Sequence, residues 1–341
     1  MNILGLSNYG GDWGTPNGWG GSGYHRVLLP LGMMKGVHAA ISDGIYDATK
    51  WDIIVYNTCS QFDGMWQEVK SKVGCKVIFD VDDYWHLPKS HPLHNVYGER
   101  HIAIERNIID ADLVTVPHET LAIRVRKLNP NVVVLPNALP YGESQFTENK
   151  KESDKLRIFW AGGLTHENDM KLLKPLTHRL QKYSDKIQMV LGAYCDEPNV
   201  KPIWDKILSC FTNEYKLPYV TLPNIAPTSF MTLYENADIV VVPLENSSWH
   251  SCKSNLKLLE SASKRLPVIV SNVEPYSRDK EAPVLWVDNE QDWVKHMRFL
   301  MNNPNAKEDY GNRLYEWAKE KYNFTEINNK RLTAYKTLLN K

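Results

Sequence analysis

The stretch Val241–Ser271 holds the residues best spaced for chemistry. An apolar strand runs into a polar loop, and a helix begins near Lys253–Asn255. Lys253 and Lys257 stand one helical turn apart and can face the same anion, with the helix N-terminus adding its dipole. Glu260 lies a further turn along, where a carboxylate can bind ribose hydroxyls, although the same spacing also describes a solvated Lys/Glu face. A second stretch, Asn8–Arg26, is a loop in which seven of nineteen residues are glycine. It opens a helix near Ser22, so its backbone can approach a ligand closely and offer free N–H groups to an anion. Gly18, Gly20 and Gly23 satisfy GxGxxG, but the loop is too long and too aromatic for a tight dinucleotide turn.

Two further clusters follow strand-like runs. Phe79–Pro88 crowds Asp80, Asp82, Asp83 and His86 together with Trp85. Carboxylates this close raise at least one pKa, which suits a general base or a group binding a sugar hydroxyl. Asp80 and Asp82 alternatively hold a divalent cation through a nucleotide diphosphate, or the cluster simply caps the next helix. In Trp160–Asp169, Gly162 and Gly163 make an open turn into a helix capped by Thr165 or Asn168, and a phosphate can sit there. His166 is either a ligand contact or a surface residue.

The elements that must position these residues alternate from end to end. Strands are expected at Asn2–Ser7, Ile53–Asn57, Lys76–Val81, Leu113–Pro117 and Val132–Leu135. Helices are expected at Tyr24–Lys35, Gln61–Val73, Glu99–Ala111 and Glu119–Asn129. The polar, aperiodic Tyr141–Lys155 reads as a linker. Strands then resume at Leu156–Ala161, Ile187–Gly192, Tyr219–Leu222, Ile239–Pro243, Pro267–Ser271 and Val284–Val287. These runs are continuously apolar, as a parallel sheet buried on both faces requires. The expected fold class is α/β, with two Rossmann-like doubly wound domains facing a cleft: 1–145, then 153–310, with helices 311–341 packing back toward the first domain.

Composition bounds the rest. Forty Lys+Arg balance forty Asp+Glu over 341 residues, which excludes a strongly basic nucleic-acid coat and an acidic tail but leaves room for a local basic groove. With 43% hydrophobic and 23% charged residues the chain is globular rather than disordered. Five scattered cysteines without a CxxC pair fit a reducing compartment and no structural zinc site. No run approaches a membrane span or a secretion signal, so the expected location is cytoplasmic.

The Lys253-Ser-Asn-Leu-Lys-Leu-Leu-Glu260 run with Leu266-Pro-Val-Ile-Val-Ser271 resembles the signature of GT-B glycosyltransferases of the large retaining family 4. Ala111–Thr120 is similar to that family's "ADxVxxxS" strand, and Leu135-Pro-Asn-Ala-Leu139 to its "IPNGV" end of the first domain. The Asp-x-Asp-Asp-x-Trp and Gly-Gly-x-x-His-x-x-Asp variants look most like enzymes from bacteriophages and bacterial envelope clusters. The resemblance implies transfer of a sugar from a UDP-, GDP- or ADP-sugar to an acceptor hydroxyl with retention of configuration. It implies a donor site of Gly20, Gly21, Ser22, Lys253, Lys257 and Glu260; Gly162, Gly163, His166 and Asn255 are the further donor-binding candidates. Lys257 would neutralise the leaving diphosphate and Glu260 would bind the ribose. Asp82, Asp83 and His86 are the acid–base candidates beside Lys257, and Trp13, Trp19 and Trp85 the acceptor-stacking candidates. No cofactor is required, and a divalent metal is compatible but not expected.

Three departures stand out. Cys252 occupies the place of the family's first motif glutamate, which leaves the identity of the sugar open. The Arg and Lys that often follow the Gly-Gly turn are absent, with His166 and Asn168 nearby instead. Asp80-Val-Asp82 mimics the metal motif of the other glycosyltransferase fold, GT-A, but a second α/β series argues against that fold. The expected acceptor is an envelope glycan, for which Arg124, Arg126 and Lys127 form a small basic patch, or a hydroxymethylated base in phage DNA. Two alternatives are a non-catalytic nucleotide-sugar binding protein and an NAD-linked Rossmann enzyme using Asp43 for the ribose.

Overall fold

A computed structural model describes residues 1–6, 21–42, 50–57, 70, 74–91, 94–212 and 217–340. The chain divides into two compact units. The first comprises Met1–Ala138, Cys252–Ser254 and Tyr322–Lys341; the second comprises Leu139–Ser251 and Asn255–Lys321.

Among the described residues the first unit is built on six strands, β1 (Asn2–Leu6), β2 (His38–Ser42), β3 (Ile53–Asn57), β4 (Lys76–Asp80), β5 (Leu113–Val116) and β6 (Val132–Val134). Their order is β2-β1-β3-β4-β5-β6 with every pairing parallel. Successive side chains of a strand point to opposite faces. Ile3, Ile53, Val55 and Ile78 accordingly join Val27, Leu31, Tyr335 and Leu338 in one core cluster. Leu4, Leu6, Ile54, Tyr56, Val77 and Phe79 join Ile108, Leu121 and Val125 in another. Each such burial contributes about 1.5–3 kcal/mol, and burial on both faces is why these strands read as unbroken apolar runs.

One strand escaped the sequence reading. β2 is an edge strand, flanked by His38 and Ser42, and an edge needs less apolar character than a centre. The expected Tyr24–Lys35 helix is present as a helical run interrupted by a π-helical stretch, Tyr24–Leu28, ahead of Leu29–Gly32. Pro30 has no N–H to return to the preceding turn, and a widened turn before it is the usual accommodation. The expected Gln61–Val73 helix lies almost wholly outside the described residues.

The final helix, Phe324–Leu339, also belongs to the first unit. Asn323 caps it by accepting the Glu326 N–H, and Asn328 Nδ2 donates to the Pro30 carbonyl at 2.9 Å.

The second unit holds β7 (Leu156–Ala161), β8 (Ile187–Tyr194), β9 (Tyr219–Pro223), β10 (Ile239–Val242), β11 (Val268–Ser271) and β12 (Leu285–Val287). The order β12-β11-β10-β7-β8-β9 is again parallel throughout. Counted from β7 it is the 3-2-1-4-5-6 order of dinucleotide-binding folds, with the strand order reversing between β7 and β10. β8 continues past its expected end at Gly192 through a register shift at Ala193, whose φ is 67°. The expected linker is anchored: Phe146 is fully buried and Gln145 bonds the Pro227 carbonyl and the Met231 N–H. Among the described residues no helix is long and apolar enough to cross a membrane.

Gly311, in the helix Pro304–Lys321, packs directly on the turn at Arg265. A Cβ there would lie 1.9 Å from the Arg265 carbonyl oxygen. Helix propensity alone says Gly311→Ala stabilises by about 1 kcal/mol; overpacking against backbone says it destabilises by about 1–3 kcal/mol. The second sign is expected, and a fall in Tm on thermal unfolding checks it.

Candidate functional site

Ligands in open α/β sheets bind at the carboxyl ends of the strands where the order reverses. In the second unit those are the ends of β7 and β10. β7 ends in Ala161 and runs into Gly162 and Gly163, the turn Leu164–His166 and a short helix, Glu167–Lys171. A Cβ on Gly162 would lie 2.5 Å from Cζ2 of Trp160 and 3.0 Å from Cδ2 of His166, so only glycine fits between these rings. Trp160 cannot yield, being 1% exposed and packed on Trp204.

Lys257 brings a cation to the same place. It is on the helix Leu256–Ser263, and its ammonium donates to the Ala161 carbonyl and stands 5.7 Å from the Trp160 ring centroid. Glu260, on the same helix, is buried, and its Oε2 accepts from the Tyr234 hydroxyl at 2.7 Å. Burial raises the Glu260 pKa, with Lys257 and the Tyr234 hydrogen bond opposing. Burial, and then Glu260, push Tyr234 well above its ordinary value. Asn255 precedes the helix, with its amide engaged by Asp279 Oδ2 at 2.6 Å.

Asp169, Glu245 and His250, to which sequence patterning gives no role, lie together at this end of the sheet. Asp169 Oδ1 accepts the Glu245 backbone N–H at 2.7 Å, and Oδ2 meets His166 Nδ1 at 2.6 Å. Burial works against the Asp169 charge, but His166, the Glu245 N–H and His250 outweigh it and hold the pKa low. Burial and the neighbouring Asp169 raise that of Glu245. One ligand atom each from Asp169, Glu245 and His250 lies within 4.8 Å of the others. That spacing is compatible with a divalent cation, and both Asp169 oxygens also have protein partners.

In the first unit the acidic cluster after β4 is divided among several partners. Asp80 forms a two-pronged pair with Arg26, 2.9 Å on each arm, both side chains 1% exposed, and accepts from Thr115 Oγ1 at 2.5 Å. Arg26 also donates to the Leu135 carbonyl at 2.6 Å and to Asn137 Oδ1 at 3.0 Å. Burial opposes the guanidinium charge, yet Asp80, with help from Asp82, holds the Arg26 pKa above its ordinary value. Burial and the Arg26 charge push the pKa of His25 down to about 4. Asp83 pairs with Lys253 at 3.4 Å, on the short segment that joins this unit. Asn137 Nδ2 donates to Ser254 Oγ at 2.9 Å, and His118 Nε2 meets the Cys252 carbonyl at 2.9 Å. Cys252, in place of a motif glutamate, is fully buried in the core. Trp85 is buried too, and its indole N–H and the His86 ring share Glu105 Oε1.

Gly162, Gly163, His166, Lys257 and Glu260 are thus gathered at one end of the second sheet. Lys253 is in the first unit beside Asp83, and Trp85 and His86 are held by Glu105. Gly21 and Ser22 begin the first helical turn of the first unit. Trp13, Trp19, Gly20 and Asp43 lie outside the described residues.

No protein-family model matches the chain, and no curated protein matches it. Solved structures do. A sucrose-phosphate synthase from Thermosynechococcus elongatus matches with a TM-score of 0.70 at 13% identity, covering 99% of each chain. The Anabaena protein HepE, solved with UDP and glucose, matches at 0.65 and 10% identity, over 99% of this chain and 100% of its own. A UDP-forming trehalose-phosphate synthase from Burkholderia xenovorans matches at 0.58 and 12%, over 84% of this chain and 74% of its own. With two Rossmann-like parallel α/β units in this order, the chain has the GT-B fold.

Because Asp80 is the buried partner of Arg26, Asp80→Asn should destabilise the first unit by about 3–5 kcal/mol, as it strands a buried charge. Denaturant unfolding followed by first-unit fluorescence measures this. An unchanged midpoint would return Asp80 to the list of functional carboxylates.

Proposed function

We propose that this protein is a glycosyltransferase that moves a sugar from a nucleotide-sugar donor to an acceptor hydroxyl. The donor diphosphate lies at the Gly162–Gly163 turn. The carrying observation is Lys257, whose ammonium reaches the carbonyl end of β7 beside a glycine that admits no side chain. The start of the Leu256–Ser263 helix adds its partial positive charge. Such a site answers the negative charge that grows on a departing diphosphate. The full-length likeness to HepE, solved with UDP and glucose, supports the same reading.

Glu260 is the ribose-binding carboxylate. Tyr234 holds one of its oxygens and so sets its orientation. The resemblance to retaining family 4 supports transfer with retention, the departing phosphate oxygen taking the acceptor's proton, so no side-chain base is required in that step. The protein's work is then to position two substrates and stabilise charge. The acceptor is a hydroxyl of an envelope glycan or of a hydroxymethylated base in DNA, and no metal is needed.

Nucleotide release is measured from a panel of UDP-, GDP- and ADP-sugars, with and without EDTA, each with plain DNA, hydroxymethylated DNA or no acceptor. Stimulation by the modified DNA names that acceptor; slow release without acceptor points to a glycan. Lys257→Ala should lower kcat about 10²–10³-fold with Tm unchanged. Silence across the panel, with no thermal shift from any nucleotide, would reject the transferase. A thermal shift without turnover would leave a nucleotide-sugar binding protein.

A further inference from the structure

Glu245 is the only acid between Pro243 and Cys252, on the loop that leaves β10 where the second sheet reverses its strand order. Its main chain is pinned from two sides. Asp169 Oδ1 takes the Glu245 N–H at 2.7 Å, and Ser271 Oγ, at the end of β11, takes the Leu244 N–H at 2.9 Å. The side chain is held by nothing comparable: among the described residues its carboxylate has no hydrogen-bond donor and no salt-bridge partner. It is nevertheless half-buried, with an oxygen within 4.8 Å of one ligand atom each of Asp169 and His250. Burial and then the Asp169 charge work against ionisation of Glu245; Lys171 works for it, but pairs with Glu167 at 2.9 Å.

An acceptor left unmet beside a like charge does nothing for stability, and groups so placed cluster at binding and catalytic sites. The group also defines its ligand. An ionised carboxylate accepts and cannot donate, so it repels a phosphate and takes a hydroxyl or an N–H. We propose that Glu245 recognises the transferred sugar, its carboxylate accepting from a ring hydroxyl of the bound nucleotide-sugar. This rests on the nucleotide-sugar reading above, in which Lys257 and the glycine turn answer the diphosphate and Glu260 the ribose. The sugar is the remaining part of the donor that is rich in O–H groups.

A hydroxyl has a direction, and a main chain fixed at both Leu244 and Glu245 limits where the carboxylate can meet it. A sugar with the hydroxyl in place gives the carboxylate its donor. A sugar without it leaves the carboxylate desolvated and unmet, and that penalty is what discriminates.

Glu245→Gln keeps the size of the side chain and the backbone bond to Asp169 while removing the charge. Without ligand its Tm should equal or exceed that of the wild type, since no partner is lost; a fall shows a structural role and overturns the proposal. Free UDP, GDP and ADP probe the nucleotide site, and the one that raises the wild-type Tm should raise that of the variant equally. A shift lost in the variant makes Glu245 part of the nucleotide site and overturns the proposal. With the preferred sugar on that nucleotide, kcat/KM should fall about 10–100-fold; equal values in both proteins overturn it. Deoxy analogues of that donor, each sugar hydroxyl removed in turn, complete the cycle. One of them should be poor with the wild type and lose little more in Glu245→Gln, whereas additive losses at every position overturn the proposal. A Tm rise with Mn²⁺ in the wild type that the variant lacks gives the carboxylate to a cation and also overturns it. If the wild type binds no nucleotide, the donor reading fails and takes this inference with it; every other adverse outcome leaves the donor reading standing.

Discussion

A parallel strand cannot return to its neighbour by a hairpin; it must cross over the sheet, and the crossover covers one face with a helix or loop. Both sheets of this protein obey that constraint in every pairing. Burial of both faces follows, and so do the two core clusters that alternate along β1, β3 and β4. In the second sheet the strand order also reverses, between β7 and β10, and at that point two adjacent crossovers leave in opposite directions. Loops that leave the sheet there have no packed neighbour between them, and their backbone N–H groups and side chains are available to a ligand. The position of the candidate site is thus a consequence of topology before any residue of it is considered.

The residues then make that place particular. Between β7 and β10 a glycine is required by the two rings that close on it, a lysine reaches in from the next helix, and a buried carboxylate bridges the two loops. Each has a structural reason independent of ligand. Glycine avoids a collision, lysine caps a strand-end carbonyl, and aspartate accepts two N–H bonds that would otherwise be buried unmet. Packing thus enforces the geometry of this place independently of any ligand.

The first unit shows the opposite use of charge. Asp80 was one of three carboxylates that could have supplied acid–base or metal chemistry, yet its two oxygens are taken by Arg26 and Thr115 inside the core. Arg26 continues to Leu135 and Asn137, and Asn137 to Ser254, so the fork ties the first helical run to the ends of β4 and β6 and to the short returning segment. Two desolvated charges are tolerated because nearly every donor and acceptor of the pair is engaged.

The amino-acid sequence by itself determined the strands and their class. All eleven expected strands match within two residues at either end, β8 running furthest beyond, and the reason is local: unbroken apolar runs between turn residues encode burial on both faces. β2 carried too little apolar character to announce itself, as an edge strand does not need it. That the glycine turn follows a strand end, and that Lys257 and Glu260 share a helix, was legible because short-range spacing sets both. Only tertiary structure decided that Asp80 and Asp83 have different partners, that Lys253 and Lys257 belong to different units, and that Asp169 holds His166 while bonding a backbone N–H 76 residues away. Those outcomes depend on which loops the sheet order brings together, and hydrogen bonds across such distances leave no periodicity in the chain.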